Sequence, residues 1–255
     1  MRINSRLVRI STLAAIGFMV TSAVSAYTLL SPARKWLATP RTVFVDNGGL
    51  ASVTSPDPDR GVAATLSAVT AWNDAPGGPV ISITSSTSGA PDFRLGDGRS
   101  QLIFSDPPGV CTGSCIAATF TGYYNTSQTG TCGSLTVASI TDSDIVYNLA
   151  YNYSTQSEDP GGVGCATEIS LESVTTHEVG HLIGLAHSST GSALMAPTLS
   201  YCVNKPLATD DTDGRNALYN CGGGGGCTPA GGICTVGSSC CSGSCKGKPG
   251  NKTCR

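Results

Sequence analysis

Apolar residues fall at helical spacing in two stretches of the chain. Leu171, Val174, Leu182 and Ile183 share one face of a helix, which predicts a buried helix ending near Ile183. Val62, Leu66, Val69 and Trp72 repeat the pattern from Asp59 onward, and Asp57-Pro58-Asp59 supplies capping chemistry for a start there. Strand patterns occupy other stretches. Arg41-Thr42-Val43-Phe44-Val45-Asp46 closes on the turn residues Asn47-Gly48-Gly49. Val80-Ile81-Ser82-Ile83 and Gln101-Leu102-Ile103-Phe104 read as further strands, as do Ala117 to Tyr124 and Asp144 to Asn148. Strand, helix, strand in that order predicts a partly parallel sheet with the helix packed on one face.

Chemistry enters on the later helix. Thr176-His177-Glu178-Val179-Gly180-His181-Leu182-Ile183-Gly184-Leu185-Ala186-His187-Ser188 fits H-E-x-x-H-x-x-G-x-x-H without a mismatch, and it holds all three histidines of the chain. Residues i and i+4 share a helix face, so His177 and His181 can present their imidazoles to one ion. Gly184 sits where a helix C-terminus favours a left-handed residue, and a turn there swings His187 back as a third ligand. Three protein ligands leave the fourth position of a tetrahedral zinc open, which is the catalytic arrangement. The simpler alternative is three ordinary histidines close in sequence. The hinge glycine and the third ligand at fixed offsets weigh against it.

At these residues the sequence resembles the metzincin metallopeptidases, and among them the matrixins. Ser188 directly after the third histidine favours that branch. Ala193-Leu194-Met195-Ala196-Pro197 resembles the family's Met-turn, with Met195 beneath the metal and Gly184, Met195 and Pro197 supporting the site. Leu207 to Tyr219 resembles the family's C-terminal helix pattern L-x-x-D-D-x-x-G-x-x-x-L-Y, with Asp210 and Asp211 in structural roles. The likeness runs from about Arg41 and omits the last thirty residues. It implies an α+β fold, a metzincin-like mixed sheet of about five strands with three helices, followed by a small disulfide-rich module. It also implies one catalytic Zn2+ held by His177, His181 and His187, with Glu178 as general base. Ala117 to Tyr124 then corresponds to the antiparallel edge strand beside the substrate, and Phe120 and Tyr201 are candidate substrate contacts. The chain from Pro197 to Pro206 is expected to line the pocket after the scissile bond.

The ends of the chain read differently. Arg2, Arg6 and Arg9 precede an apolar run from Ile10 to Val20, and Val24-Ser25-Ala26 offers a small-residue cleavage site. Residues 1–26 are therefore expected to be a signal peptide, giving a secreted, extracellular protein with no stable membrane insertion afterwards. Twelve cysteines, an even number, suit an oxidising compartment. Residues 27–40 form a short N-terminal segment ahead of the peptidase domain at 41–221. The first cysteine is Cys111, so a cysteine switch near the N-terminus, as in animal matrixins, is not expected. No histidines remain for the second, structural zinc of those proteins.

Cleavage at Ala26 removes three of 15 basic residues and none of 17 acidic ones, leaving a net charge of −5. That balance gives no reason to expect nucleic-acid binding. Within the domain Cys111, Cys115, Cys132, Cys165, Cys202 and Cys221 admit fifteen pairings. Cys202 with Cys221 and Cys132 with Cys165 are the expected ones, and metal ligation by Cys111 and Cys115 is an alternative. Ca2+ at Asp92, Asp97, Glu158 or Asp159 competes with a solvated acidic loop.

Residues 222–226 are a glycine linker. Residues 227–255 carry Cys227, Cys234, Cys240, Cys241, Cys245 and Cys254 and resemble a knottin, or inhibitor cystine knot. So short a segment depends on disulfides in place of a core. Lys246, Lys248, Lys252 and Arg255 meet no acidic residue there, so an anionic surface or polymer is a candidate partner. The chain is expected to act as a monomeric zinc endopeptidase on protein or peptide substrates. Two rivals remain: a non-catalytic peptide-binding protein of the same fold, and a delivery domain for a knottin-type inhibitor or toxin.

Overall fold

The computed structural model describes residues 7–9, 27–46, 49–50, 58–75, 80–86, 93–104, 109–124, 129–155, 168–201, 203–220, 245–248 and 251–254. Most of the expected signal peptide, the glycine linker and most of the cysteine module lie outside them. So do Cys165, Cys202 and Cys221, and the calcium candidates Asp92, Glu158 and Asp159.

Three short strands come first, Leu7–Arg9 (β1), Thr28–Leu29 (β2) and Arg34–Lys35 (β3). Arg41–Asp46 (β4) follows with the predicted bounds, then helix α1 (Pro58–Asp74) and strands Ile81–Ser86 (β5) and Gln101–Ile103 (β6). Ala117–Tyr123 (β7), Thr129–Cys132 (β8) and the 13-residue Leu135–Tyr147 (β9) complete the main sheet. Its order is β5-β4-β6-β9, parallel throughout, and β7 runs antiparallel along the C-terminal half of β9. These five are the expected strands. β3 and β8 add to the N-terminal part of β9 and bring the sheet to seven strands, two more than the sequence pattern indicates.

Asn152–Ser154 (β10) pairs in parallel with Glu168–Ser170 (β11), which leads straight into helix α2 (Leu171–Leu182). Leu185–Ala186 (β12), Thr198–Ser200 (β13) and helix α3 (Thr209–Tyr219) follow. β1 lies antiparallel along β13. A last hairpin, Cys245–Lys248 (β14) with Asn251–Cys254 (β15), belongs to the C-terminal cysteine-rich segment.

The core lies between the sheet and the pair α1 and α2. Trp72, Leu102, Ile145, Tyr147, Val174, Val179 and Leu182 are buried in it, and Phe104 stacks on Tyr147 with ring centroids 4.3 Å apart. The buried stripe of α1 differs from the expected one. Ala64, Thr65, Ala68, Val69 and Trp72 face inward, whereas Leu66 is 46% exposed. Small side chains at 64 and 68 let the helix pack closely, and shape outweighs hydrophobicity at that interface.

Residues 27–40 are built into the fold. Leu30 N–H donates to Gly184 O at 3.0 Å, and Ala33 O accepts from Ala138 N–H at 2.8 Å. Lys35 Nζ donates to Leu218 O at 2.8 Å and Trp36 Nε1 to Leu182 O at 3.1 Å. The segment thereby straps the C-terminal end of α2 to α3 and β9.

Cys111 and Cys115 form a disulfide, which removes the metal-ligand alternative for that pair. Cys132 is also disulfide-bonded. The acidic calcium candidate Asp97 turns its carboxylate to its own turn and accepts from Arg99 N–H at 2.7 Å.

Candidate functional site

Helix α2 begins at a capped end. Ser170 Oγ accepts from Ser173 N–H at 3.1 Å, satisfying one of the amides the first turn leaves free. Apart from Glu172, every residue from Leu171 to Leu182 is buried, so polar atoms on this helix need partners inside the protein. Thr176 O accepts from Trp72 Nε1 at 2.7 Å and Thr175 Oγ1 accepts from Tyr147 O–H at 2.9 Å. These contacts fix the helix between α1 and the sheet.

The helix ends at Ile183, and Gly184 follows with φ of +113°. L-residues rarely adopt that conformation, and a Cβ there would lie 2.1 Å from Arg34 O. Both the turn and the strap require glycine. The reversal sends β12 back along the helix end, where it pairs with β2, and delivers His187 to the other two histidines.

His177, His181 and His187 each offer a ligand nitrogen, and these atoms lie within 4.8 Å of one another. His177 Nδ1 is 2.8 Å from Leu194 O, and His181 Nδ1 is 2.7 Å from Leu185 O. A carbonyl only accepts, so both rings carry their proton on Nδ1 and turn an Nε2 lone pair inward. Those two Nε2 atoms are 3.1 Å apart. Two lone pairs at that separation repel each other unless a cation lies between them. Two ligands ~2.0–2.1 Å from one tetrahedral zinc are separated by about 3.3 Å, close to the observed spacing.

Burial, reinforced by the neighbouring rings, holds His177 well below the usual histidine value and lowers His181 to about 3. Burial also lowers His187. All three are therefore neutral at ordinary pH, the form in which an imidazole can take a metal ion. Among the described residues this is the group of three or more His, Cys, Asp or Glu side chains placed to hold a metal ion.

Beneath the helix runs the turn that contains Met195. Asp211 on α3 accepts from Leu194 N–H at 2.8 Å, Met195 N–H at 2.9 Å and Ala208 N–H at 2.7 Å. Ser188 N–H donates to Met195 O at 2.8 Å, and Ser188 Oγ donates to Asp210 Oδ2 at 2.6 Å. The carbonyl that orients His177 thus belongs to a turn fixed by one buried carboxylate. Pro197 closes this turn at the surface, and Tyr201 lies half-buried against the core just past β13.

Glu178, next to His177 on α2, is fully buried. Thr119 Oγ1, on β7, donates to Glu178 Oε2 at 2.5 Å and also lies 3.1 Å from Glu178 O. Oε1 has no hydrogen-bond partner among the described residues. Burial raises Glu178 to about 8, against the lowering effect of the Thr119 hydroxyl. A cation at the histidines would draw it down again.

Side chains alternate across β7, so Thr119 and Phe120 face opposite sides of the sheet. Phe120 packs edge-on against Phe93, centroids 4.8 Å apart, in a second cluster with Cys111, Cys115, Ala118 and Val146. The residue of this strand that reaches the site is Thr119, which sequence reasoning passed over. Its only signal was the strand's two-residue period.

The family model described as Matrixin matches residues 119–220. Metalloendoproteinase 5-MMP of Arabidopsis thaliana is 47% identical over 68 residues, covering 25% of this chain and 19% of that protein. Metalloendoproteinase 1 of Glycine max is 52% identical over 50 residues, 19% of this chain and 16% of the relative. Interstitial collagenase of Bos taurus is 42% identical over 52 residues, 20% of this chain and 11% of the relative. The similar stretches thus span less than a fifth of each relative. Histidine triad, Met195 turn and α3 all fall within the matched region, so the chain is matrixin-like over residues 119–220.

Proposed function

We propose that the chain is an exported zinc-dependent endopeptidase that hydrolyses peptide bonds in extended protein substrates. One observation carries the reading: three neutral imidazoles converge, and next to the first of them along α2 stands a buried glutamate, Glu178, whose Oε1 has no hydrogen-bond partner among the described residues. His177 and His181 fit Zn2+ by donor type, tautomer and spacing, and His187 adds a third nitrogen to the same group. A zinc ion held there supplies a Lewis acid that polarises the peptide carbonyl and acidifies a water.

The remaining roles belong to the chain's own residues. Glu178 Oε1 takes a proton from the water as its oxygen bonds to the carbonyl carbon. The same oxygen returns that proton to the amine nitrogen as the C–N bond breaks. Burial of Glu178 and of the helix around it excludes other water and strengthens these interactions. Leu194 O and Leu185 O keep the imidazoles of His177 and His181 in one orientation throughout.

An extended substrate suits the edges beside the site. Among the described residues β7 pairs with β9 alone, so its outer N–H and C=O groups can accept another strand. Thr119 of that strand touches Glu178, which sets an added peptide next to the base. β13, three residues past Met195, already receives an extended chain in β1.

Export is supported by the Arg-rich, apolar N-terminal pattern and by the disulfide at Cys111–Cys115. No described helix is long and apolar enough to cross a membrane. The reading is tested by incubating the purified chain with casein, with and without a chelator. Cleavage that stops on chelation and returns with added zinc is the expected result. Cleavage indifferent to chelation overturns the zinc mechanism.

A further inference from the structure

We propose that Thr119 is a positioning residue for the catalytic carboxylate: it occupies Glu178 Oε2 and so directs proton uptake to Oε1. The role rests on the peptidase reading above and goes beyond it.

The geometry assigns the two oxygens different tasks. A hydroxyl has one proton, and Thr119 Oγ1 has two acceptors within reach, Glu178 Oε2 at 2.5 Å and Glu178 O at 3.1 Å. The shorter separation is that of a charge-assisted O–H···O⁻ bond, so the proton points at the carboxylate while Glu178 is ionised. Oε2 is then occupied, and Oε1 is buried with no hydrogen-bond partner among the described residues. A proton arriving from water therefore binds at Oε1. Oε2 remains the carbonyl-like oxygen of the acid and still accepts from Thr119. The hydroxyl keeps its own proton throughout, and the transferred proton enters and leaves through one atom.

The positioning is also mechanical. A glutamate has three side-chain torsions, and the terminal one is soft. Thr119 is β-branched and buried, and its backbone is fixed by pairing with Ile145 of β9. Its hydroxyl transfers that rigidity to the carboxylate plane. An alanine at this position would leave the plane free to rotate and both oxygens without a partner.

Thr119→Val keeps the shape of the side chain and removes the donor, while Thr119→Ser keeps the donor. The test compares wild type, Thr119→Val, Thr119→Ser and Glu178→Ala on one peptide substrate, with zinc content measured for each. Loss of a hydrogen bond to a charged group predicts a fall in kcat of roughly ten- to hundredfold in Thr119→Val. KM and one zinc per chain should be retained, and Thr119→Ser should recover most of the lost rate.

A second readout needs neither metal nor turnover. The chain has only four glutamates, Glu158, Glu168, Glu172 and Glu178, so their side-chain carboxyl carbons can be followed by NMR after isotope labelling. The Glu178 signal, identified by its loss in Glu178→Gln, should move in Thr119→Val and stay in Thr119→Ser. Wild-type kcat in Thr119→Val, or an unmoved Glu178 signal, overturns the proposal. A wild type that binds zinc and cuts nothing overturns the peptidase reading instead, and the catalytic role of Thr119 falls with it.

Discussion

Gly180 and Met195 are in such close contact that a Cβ on Gly180 would lie 2.2 Å from Met195 Sδ and 2.9 Å from the Trp72 ring. Gly180 stands on α2 between His177 and His181. The methionine thus meets the helix at the level of the site, and the absent side chain makes room for it.

Gly180→Ala gains about 1 kcal/mol of helix propensity. Overpacking against Met195 and Trp72 costs about 1–3 kcal/mol, so a net loss is expected. Met195→Ala relieves the clash at Met195 while opening a cavity. Denaturant unfolding of both single variants and the double variant should therefore show non-additivity, with the double variant less destabilised than the sum. Strict additivity would mean that the two residues do not press on each other.

Asp211 concentrates three backbone hydrogen bonds on one buried carboxylate. Asp211→Ala leaves the N–H groups of Leu194, Met195 and Ala208 without acceptors, each at a cost of about 1–3 kcal/mol. Leu194 O also orients His177, so zinc affinity should fall by roughly 10–100-fold along with stability. Competition with a chelator of known affinity measures the first effect and thermal unfolding the second.

Tyr219 O–H donates to Ile183 O at 2.8 Å and accepts from Trp36 N–H at 3.0 Å, joining the N-terminal strap to the end of α2. Tyr219→Phe removes both bonds and little volume. A loss of about 1–3 kcal/mol is expected. Hydrogen exchange at the Trp36 amide should accelerate more than exchange at amides within β4.

Asp144 lies buried beside Asp142 on β9, and burial followed by that neighbour raises it to about 7. Its carboxyl binds a proton more readily in the folded chain than in the unfolded one. Its contribution is therefore full below the unfolded value of about pH 3.9 and is lost as pH rises through about 7. The stability advantage of wild type over Asp144→Asn should shrink between pH 4 and pH 7.5 in urea unfolding. An advantage that stays level or grows would contradict this.

Much of the frame is legible in the residues themselves. Periodicity places β4 with its observed bounds and α1 within two residues, and the eleven-residue motif marks all three histidines. The part of β9 ahead of Asp144 is not legible, because the buried Asp142 and Ser143 interrupt the apolar pattern there. Those residues are stable inside because Gly96 N–H, Gly98 N–H and Ser100 close on them from a loop some 45 positions earlier. The strap at 27–40 escapes for a related reason. Its strands are two residues long, too short for a period, and its partners stand up to 183 positions away. Thr119 is hidden differently, since a threonine in a strand is unremarkable until the fold sets it against Glu178.

The most direct test is Glu178→Ala, compared with wild type on casein at equal zinc loading. Removing a general base predicts a loss of ~10²–10⁴-fold in cleavage, with one zinc per chain and an unchanged fold. A Glu178→Ala chain that cuts casein as fast as wild type would contradict the account.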